Sequence, residues 1–278
     1  MVNKFFFHFV TFLCLFFGTW FLLSKIDYNG SKSLLILSKS SEEKLGKEIV
    51  KYIKESNEVI YKDSITDVMD IIKNRIYLSN KIDTSKVKIL IVINKEINAF
   101  AIPGNTIIVY TGIIDFCDNP EELASILAHE SAHIECNHIT RKLKEEIGIS
   151  ILTVISAGNS SSGIIREIVK TLSSTAFDRK MEEQADTVAV RYLAKANIDP
   201  SHFADLLFRL SKKSDFADRF EWISTHPGSK ERTAEILKLS KKYPFKPEAM
   251  FDSETWHMFK KKVKIEEEQD HRRAEPSY

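Results

Sequence analysis

The sequence predicts an α+β chain: a mainly helical domain with a small antiparallel sheet, preceded by an N-terminal membrane segment. Three observations lead there. Apolar residues recur at helical spacing over most of the chain, β-branched runs crowd between residues 87 and 110, and residues 5 to 23 are almost wholly apolar. At 278 residues and 43% hydrophobic, the chain can bury one substantial core. A net charge of +1 gives no electrostatic footprint for nucleic acid, and no nucleic-acid partner is expected. Three cysteines, at 14, 117 and 136, are too few and too unevenly spaced for a disulfide framework.

The run from Phe5 to Leu23 is interrupted only by His8, Thr11, Gly18 and Thr19, with Lys4 before it and Lys25 after it. That is about the 20 residues a helix needs to cross a bilayer. No small-residue cleavage site lies near Trp20 or Ser24, so residues 1–25 read as an uncleaved anchor, with a cleaved secretion signal as second choice. Membrane lipid is then an expected partner, and the rest of the chain is expected on the extracytoplasmic, periplasmic side.

Ser40-x-x-Glu43 resembles a capping box opening a helix through Ile49, Val50 and Ile53, and a second helix follows around Val68, Ile71, Ile72 and Ile76. The period then changes to strands at 87–93, 100–102 and 106–110, separated by Gly and Asn turns. The strand at Asn98, Ala99 and Phe100 could line a cleft and hold an extended peptide through main-chain hydrogen bonds; it could equally serve only the core. Asn119-Pro120-Glu121-Glu122 then starts a helix, with Asn as cap, Pro in the first turn and acids facing the positive dipole end.

That helix carries His129-Glu130-Ser131-Ala132-His133 among Leu123, Ile126, Leu127, Ala128 and Ile134. Histidines at i and i+4 share one face and can reach a single tetrahedral cation, while the glutamate between them can take a proton from metal-bound water. Inside a mostly apolar helix these groups are costly to desolvate, and a metal is a partner that suits all three. A third ligand is required. His138 lies, on an ideal helix, roughly 140° from His133 and 180° from His129, and reads as structural. Farther on, Glu182 and Asp186 are again i and i+4 on a helix running through Val188, Val190, Tyr192 and Leu193. Glu182 can complete the ligand set, and Asp186 can accept a hydrogen bond from a ligand histidine and fix its tautomer. With Cys136 and Ile139 where Gly and His would stand, the three-histidine completion of a metzincin is closed.

Four segments together resemble the HtpX-like, CAAX-prenyl-protease-type gluzincin peptidases: residues 98–104 with Tyr110-Thr111-Gly112; the HExxH with His138; Arg179-x-x-Glu182-x-x-Ala185-Asp186; and Thr225-His226-Pro227 with Arg232. The resemblance implies a zincin-like metalloprotease domain over residues 32–245 with one Zn²⁺ per chain. It implies His129, His133 and Glu182 as ligands, Glu130 as general base, and Asp186 in support. His226 would stabilise the oxyanion or cap the metal at rest, and Arg232 matches the arginine that follows it. Asp178 stands where the family usually has Ser. The plan is similar to single-domain periplasmic members, since no repeat of about 34 residues follows Leu239. The implied activity is a zinc metalloendopeptidase acting on unfolded or misfolded proteins or peptides in envelope quality control. The alternative is a catalytically silent zinc-fold module with a binding or chaperone-like role.

Two segments remain. Residues 147–157 are apolar and lead into a Ser/Gly-rich stretch at 158–163, a hairpin expected to gate a cleft or touch the bilayer. Residues 246–278 are expected to form a charged, partly disordered extension.

Overall fold

The computed structural model describes residues 2–25, 38–156, 161–212 and 221–274. Residues 1–38 and 39–278 form two separate units. The first contains helix α1 (Val2–Lys25), on which Phe6, Phe7, Phe12 and Phe17 are each at least 60% exposed. α1 runs 24 residues, but counting the described residues alone no helix is long and apolar enough to cross a membrane.

The second unit begins with α2 (Lys39–Ser56), β1 (Val59–Ile60) and α3 (Asp63–Ser79). Strands β2 (Lys88–Val92), β3 (Ala99–Ile102) and β4 (Thr106–Tyr110) follow, then a short α4 (Thr111–Phe116). The four strands make one sheet in the order β1-β2-β4-β3. The antiparallel expectation needs correction, because the sheet is mixed: β2 and β4 run parallel, Lys88 opposite Thr106 and Val92 opposite Tyr110. The cause is the hairpin between β3 and β4. Gly104 (φ 78°) and Asn105 (φ 57°) turn the chain there, and β4 then inserts between β2 and β3, so that β3 becomes the edge. This corner is tightly packed: a Cβ on Gly46 of α2 would lie 2.1 Å from the Pro103 carbonyl oxygen.

Helix α5 (Pro120–Glu135) opens as its sequence suggests, the Asn119 side chain accepting from the Glu122 N–H at 2.9 Å with Pro in the first turn. From Leu123 to His133 every residue of α5 is buried. Asn137, in the left-handed region at φ 56°, ends it and starts α6 (His138–Glu146). α7 (Ile149–Ser156) and α8 (Ser162–Ser174) follow, each packing on α2; residues 157–160, where the Ser/Gly-rich link of the expected hairpin falls, lie outside the described residues. α9 (Arg179–Lys195) packs along α5, and its cap is Asp178, whose side chain accepts from the Met181 N–H at 2.8 Å. Asp serves here as Ser would, so the departure at 178 leaves the helix start intact.

α10 (Ser201–Lys212), α11 (Glu221–Thr225) and α12 (Ser229–Ser240) complete the domain. The C-terminal stretch is more ordered than expected, forming α13 (Ser253–Ala274). Its charges are interleaved with Trp256, Phe259 and Val263, all buried, and α13 packs on α3. Lys260 Nζ caps the carbonyls of Asp115 and Cys117 at 2.6 and 2.9 Å, and Arg75 gathers the carbonyls of Ala196, Asn197, Glu248 and Ala249.

Candidate metal centre

α5 supplies His129, Glu130 and His133, α9 supplies Glu182 and Asp186, and the turn between α11 and α12 supplies His226. None of these six is more than 3% exposed. His129 Nε2 lies 3.0 Å from His133 Nε2 and 3.1 Å from His226 Nδ1. Glu182 Oε1 lies 3.3 Å from His133 Nε2 and 3.0 Å from His226 Nδ1, and Glu182 Oε2 is 3.6 Å from His129 Nε2. Donor atoms of all four residues fall within 4.8 Å of one another.

This set fits a tetrahedral metal ion. Bonds of about 2.0–2.1 Å give tetrahedron edges on the order of 3.3 Å, which the 3.0–3.6 Å separations bracket. Three imidazole nitrogens that turn lone pairs toward one another lack hydrogen-bond donors among themselves, whereas one cation satisfies all three lone pairs. The local field agrees. Burial opposes charge on His129, but Asp186 and Glu182 outweigh it and raise its pKa to about 9, as expected where carboxylates favour a cation. Burial takes His133 down to about 3. Glu182 and Asp186 sit well inside the protein, yet facing histidines and the Arg232 guanidinium hold both carboxyls below their ordinary range.

Arg232 carries much of that compensation. Its Nε and Nη2 donate to the Asp186 carboxylate at 2.8 and 2.7 Å, its Nη1 lies 2.5 Å from Glu182 Oε2, and Nη1 also donates to the His226 carbonyl at 3.2 Å. Asp186 Oδ1 in turn lies 3.1 Å from His129 Nδ1. Glu130 is fixed through one oxygen. Oε2 accepts from the Ala101 N–H at 3.0 Å and Oε1 lies 3.3 Å from His226 Nε2. Burial would raise its pKa, but His226, His133 and His129 keep it below the ordinary value and ionised.

Asn98, Ala99 and Phe100 are all buried, the Asn98 side-chain amide donating to the Ser173 carbonyl at 3.0 Å and the Asn98 main-chain carbonyl accepting from Tyr110 N–H. Alternation then turns Phe100 toward β4 and leaves the main chain of Ala99 and Ala101 facing the sheet edge.

Sequence reasoning missed Phe177, Lys142 and Trp222, and the place of His138. Phe177 stacks on His133 with ring centroids 4.0 Å apart, and Lys142 Nζ sits 4.0 Å from the Phe177 centroid while donating to the Thr175 carbonyl. Trp222 stacks on His226 at 4.6 Å. His138, read as structural, puts its Nδ1 3.0 Å from His133 Nδ1. Nothing in residue spacing marked Phe177, Lys142 or Trp222; the ideal-helix angles hid the approach of His138 to His133, because the chain turns at Asn137. Cys136 is partly buried at the end of α5.

A model described as Peptidase family M48 matches residues 66–240. The chain is 25% identical over 211 residues to the "Beta-barrel assembly-enhancing protease" of Yersinia pestis, covering 71% of this chain and 43% of the relative. It is 30% identical over 161 residues to the "Mitochondrial metalloendopeptidase OMA1" of Schizosaccharomyces pombe, covering 57% and 46% respectively. Against the "Metalloprotease LoiP" of Escherichia coli it is 25% identical over 165 residues, covering 57% and 65%. The chain thus spans about half the length of the first two.

Proposed function

The chain belongs to peptidase family M48, and on that footing we propose that it is a zinc-dependent metalloendopeptidase with Glu130 as its general base. The observation that carries this reading is the convergence of His129, His133 and Glu182 beside an ionised Glu130 anchored by the Ala101 N–H. A bound zinc ion would acidify a water molecule and polarise the scissile carbonyl. Glu130, ionised at neutral pH, takes the proton from that water and returns it to the leaving amine. The Ala101 N–H fixes the carboxylate through one oxygen and leaves the other turned to the centre.

His226 is the resting cap in this reading. Its Nδ1 lies as close to His129 and Glu182 as a fourth ligand would, which supports capping over oxyanion stabilisation in the conformation described. With all these side chains buried, a substrate carbonyl reaches the centre only after His226 leaves it. An extended peptide then pairs with the outer edge of β3, which is buried in the conformation described and must first be uncovered, through the main chain of Ala99 rather than the side chains of Asn98 and Phe100.

Unfolded or misfolded proteins suit such main-chain recognition, because it asks for an extended strand and not for a sequence. The exposed phenylalanines of α1 suit a membrane anchor, with the peptidase domain on the extracytoplasmic side in envelope quality control. The decisive experiment compares zinc content and casein cleavage of wild type and Glu130→Gln, with and without chelator. Zinc retained by both and cleavage by wild type alone is the expected result. Zinc without cleavage by wild type would favour a silent binding module, and cleavage by zinc-loaded Glu130→Gln would refute the assignment of the base.

A further inference from the structure

We propose that His138 is a positioning residue for the ligand His133, and that it does so in a single tautomer set by Gln184. The inference rests on reading the cluster as a metal centre. His138 is 1% exposed and stands at the first position of α6, where the left-handed Asn137 folds the chain back on the end of α5. Its Nδ1 lies 3.0 Å from His133 Nδ1, and its Nε2 lies 3.2 Å from Gln184 Oε1 on α9.

The proton positions follow from the contacts. Two ring nitrogens 3.0 Å apart share one proton, because two N–H groups would repel and two lone pairs would leave both unsatisfied. Were the proton on His138 Nδ1, His133 would carry its own on Nε2, the atom that faces His129 and Glu182. A protonated Nε2 cannot bind a metal. Ligation therefore requires His133 Nδ1–H donating to His138 Nδ1, and His138 then holds its proton on Nε2 and donates it to the Gln184 carbonyl oxygen.

The result parallels the other ligand. Arg232 orients Asp186, which faces His129 Nδ1; Gln184 orients His138, which faces His133 Nδ1. The first pair is charged and the second is neutral, so the second fixes ring orientation without adding negative charge to the centre.

The test is zinc affinity of the full-length protein by competition with a chromophoric chelator, read with ring ¹⁵N chemical shifts. His138→Ala should weaken zinc binding by about 10- to 100-fold, the usual effect of removing such a partner. His138→Asn, whose amide oxygen can take the place of Nδ1, should recover most of it. Gln184 is exposed, so Gln184→Leu keeps the fold and should still weaken binding several-fold. Zinc-bound wild type should show His133 protonated at Nδ1 and His138 at Nε2. The proposal is overturned if Gln184→Leu and His138→Ala bind zinc as wild type does, or if His138 carries its proton on Nδ1. Wild type that takes up no zinc would overturn the metal-centre reading as well, so the two failures are distinguishable.

Discussion

Replacing Arg232 by Met removes the buried counter-charge while keeping most of the side-chain volume. Two carboxylates, Asp186 and Glu182, then remain buried with their strongest partner gone. Three contacts at 2.5–2.8 Å are lost to them, and charge-assisted hydrogen bonds contribute roughly 1.5–3 kcal/mol each. The gross loss is thus about 5–9 kcal/mol. Recovering the desolvation of the guanidinium and protonating one carboxylate reduce this, to about 3–5 kcal/mol, as for other broken buried pairs. The assay is urea unfolding in chelator, followed by the fluorescence of the buried Trp222 and Trp256. In a double-mutant cycle, Asp186→Asn on the Arg232→Met background should cost much less than on wild type, because the orphaned charge is already absent. A loss below about 1 kcal/mol for Arg232→Met, or strict additivity in the cycle, would refute the view that Arg232 balances the site.

Gly46→Ala should destabilise by about 1–3 kcal/mol in thermal unfolding, since its methyl would meet the Pro103 carbonyl in backbone that cannot yield cheaply. Asp178→Ala should cost about 1 kcal/mol by loss of the α9 cap, with Asp178→Ser nearly neutral. Lys142 provides a pH test: burial lowers its amine to about 8, below the ordinary 10.5 it has unfolded, so between those values the unfolded chain binds more protons. Stability from this group therefore rises as pH climbs from about 8 to 10.5, and the difference in melting temperature between wild type and Lys142→Met should follow that slope. A flat difference would show that Lys142 is not held in the way its contact with Phe177 suggests.

Much of the architecture could be read from residues alone because it rests on local signals. Asn119 with Pro120 names the start of α5, and the spacing of His129, His133, Glu182 and Asp186 depends only on helical periodicity. What escaped is non-local or conditional. The β-branched runs mark strands but carry no direction, so the parallel pairing of β2 with β4 was hidden until the hairpin placed β3 outside. His138 was judged on a continuous helix, yet one left-handed residue moves its ring from the far side of α5 to the back of His133. The charges of residues 246–278 suggested disorder, while the three apolar side chains that dock α13 follow helical spacing, i, i+3 and i+7, that the charge-rich composition masks.

The turn bearing His226 is held by few main-chain ties: Phe177 N–H to the Thr225 carbonyl at 3.0 Å, Trp222 N–H to the Ile97 carbonyl at 3.1 Å, and Arg232 to the His226 carbonyl. At about 1 kcal/mol net each, these ties set a floor of roughly 3 kcal/mol on swinging it aside, to which the lost stacking on Trp222 adds. That puts the open form at somewhat under about one molecule in a hundred, and kcat/KM would be scaled down by the same fraction. A peptidase built this way idles as a property of its resting population, and anything that breaks a single one of those ties would raise its working fraction about fivefold.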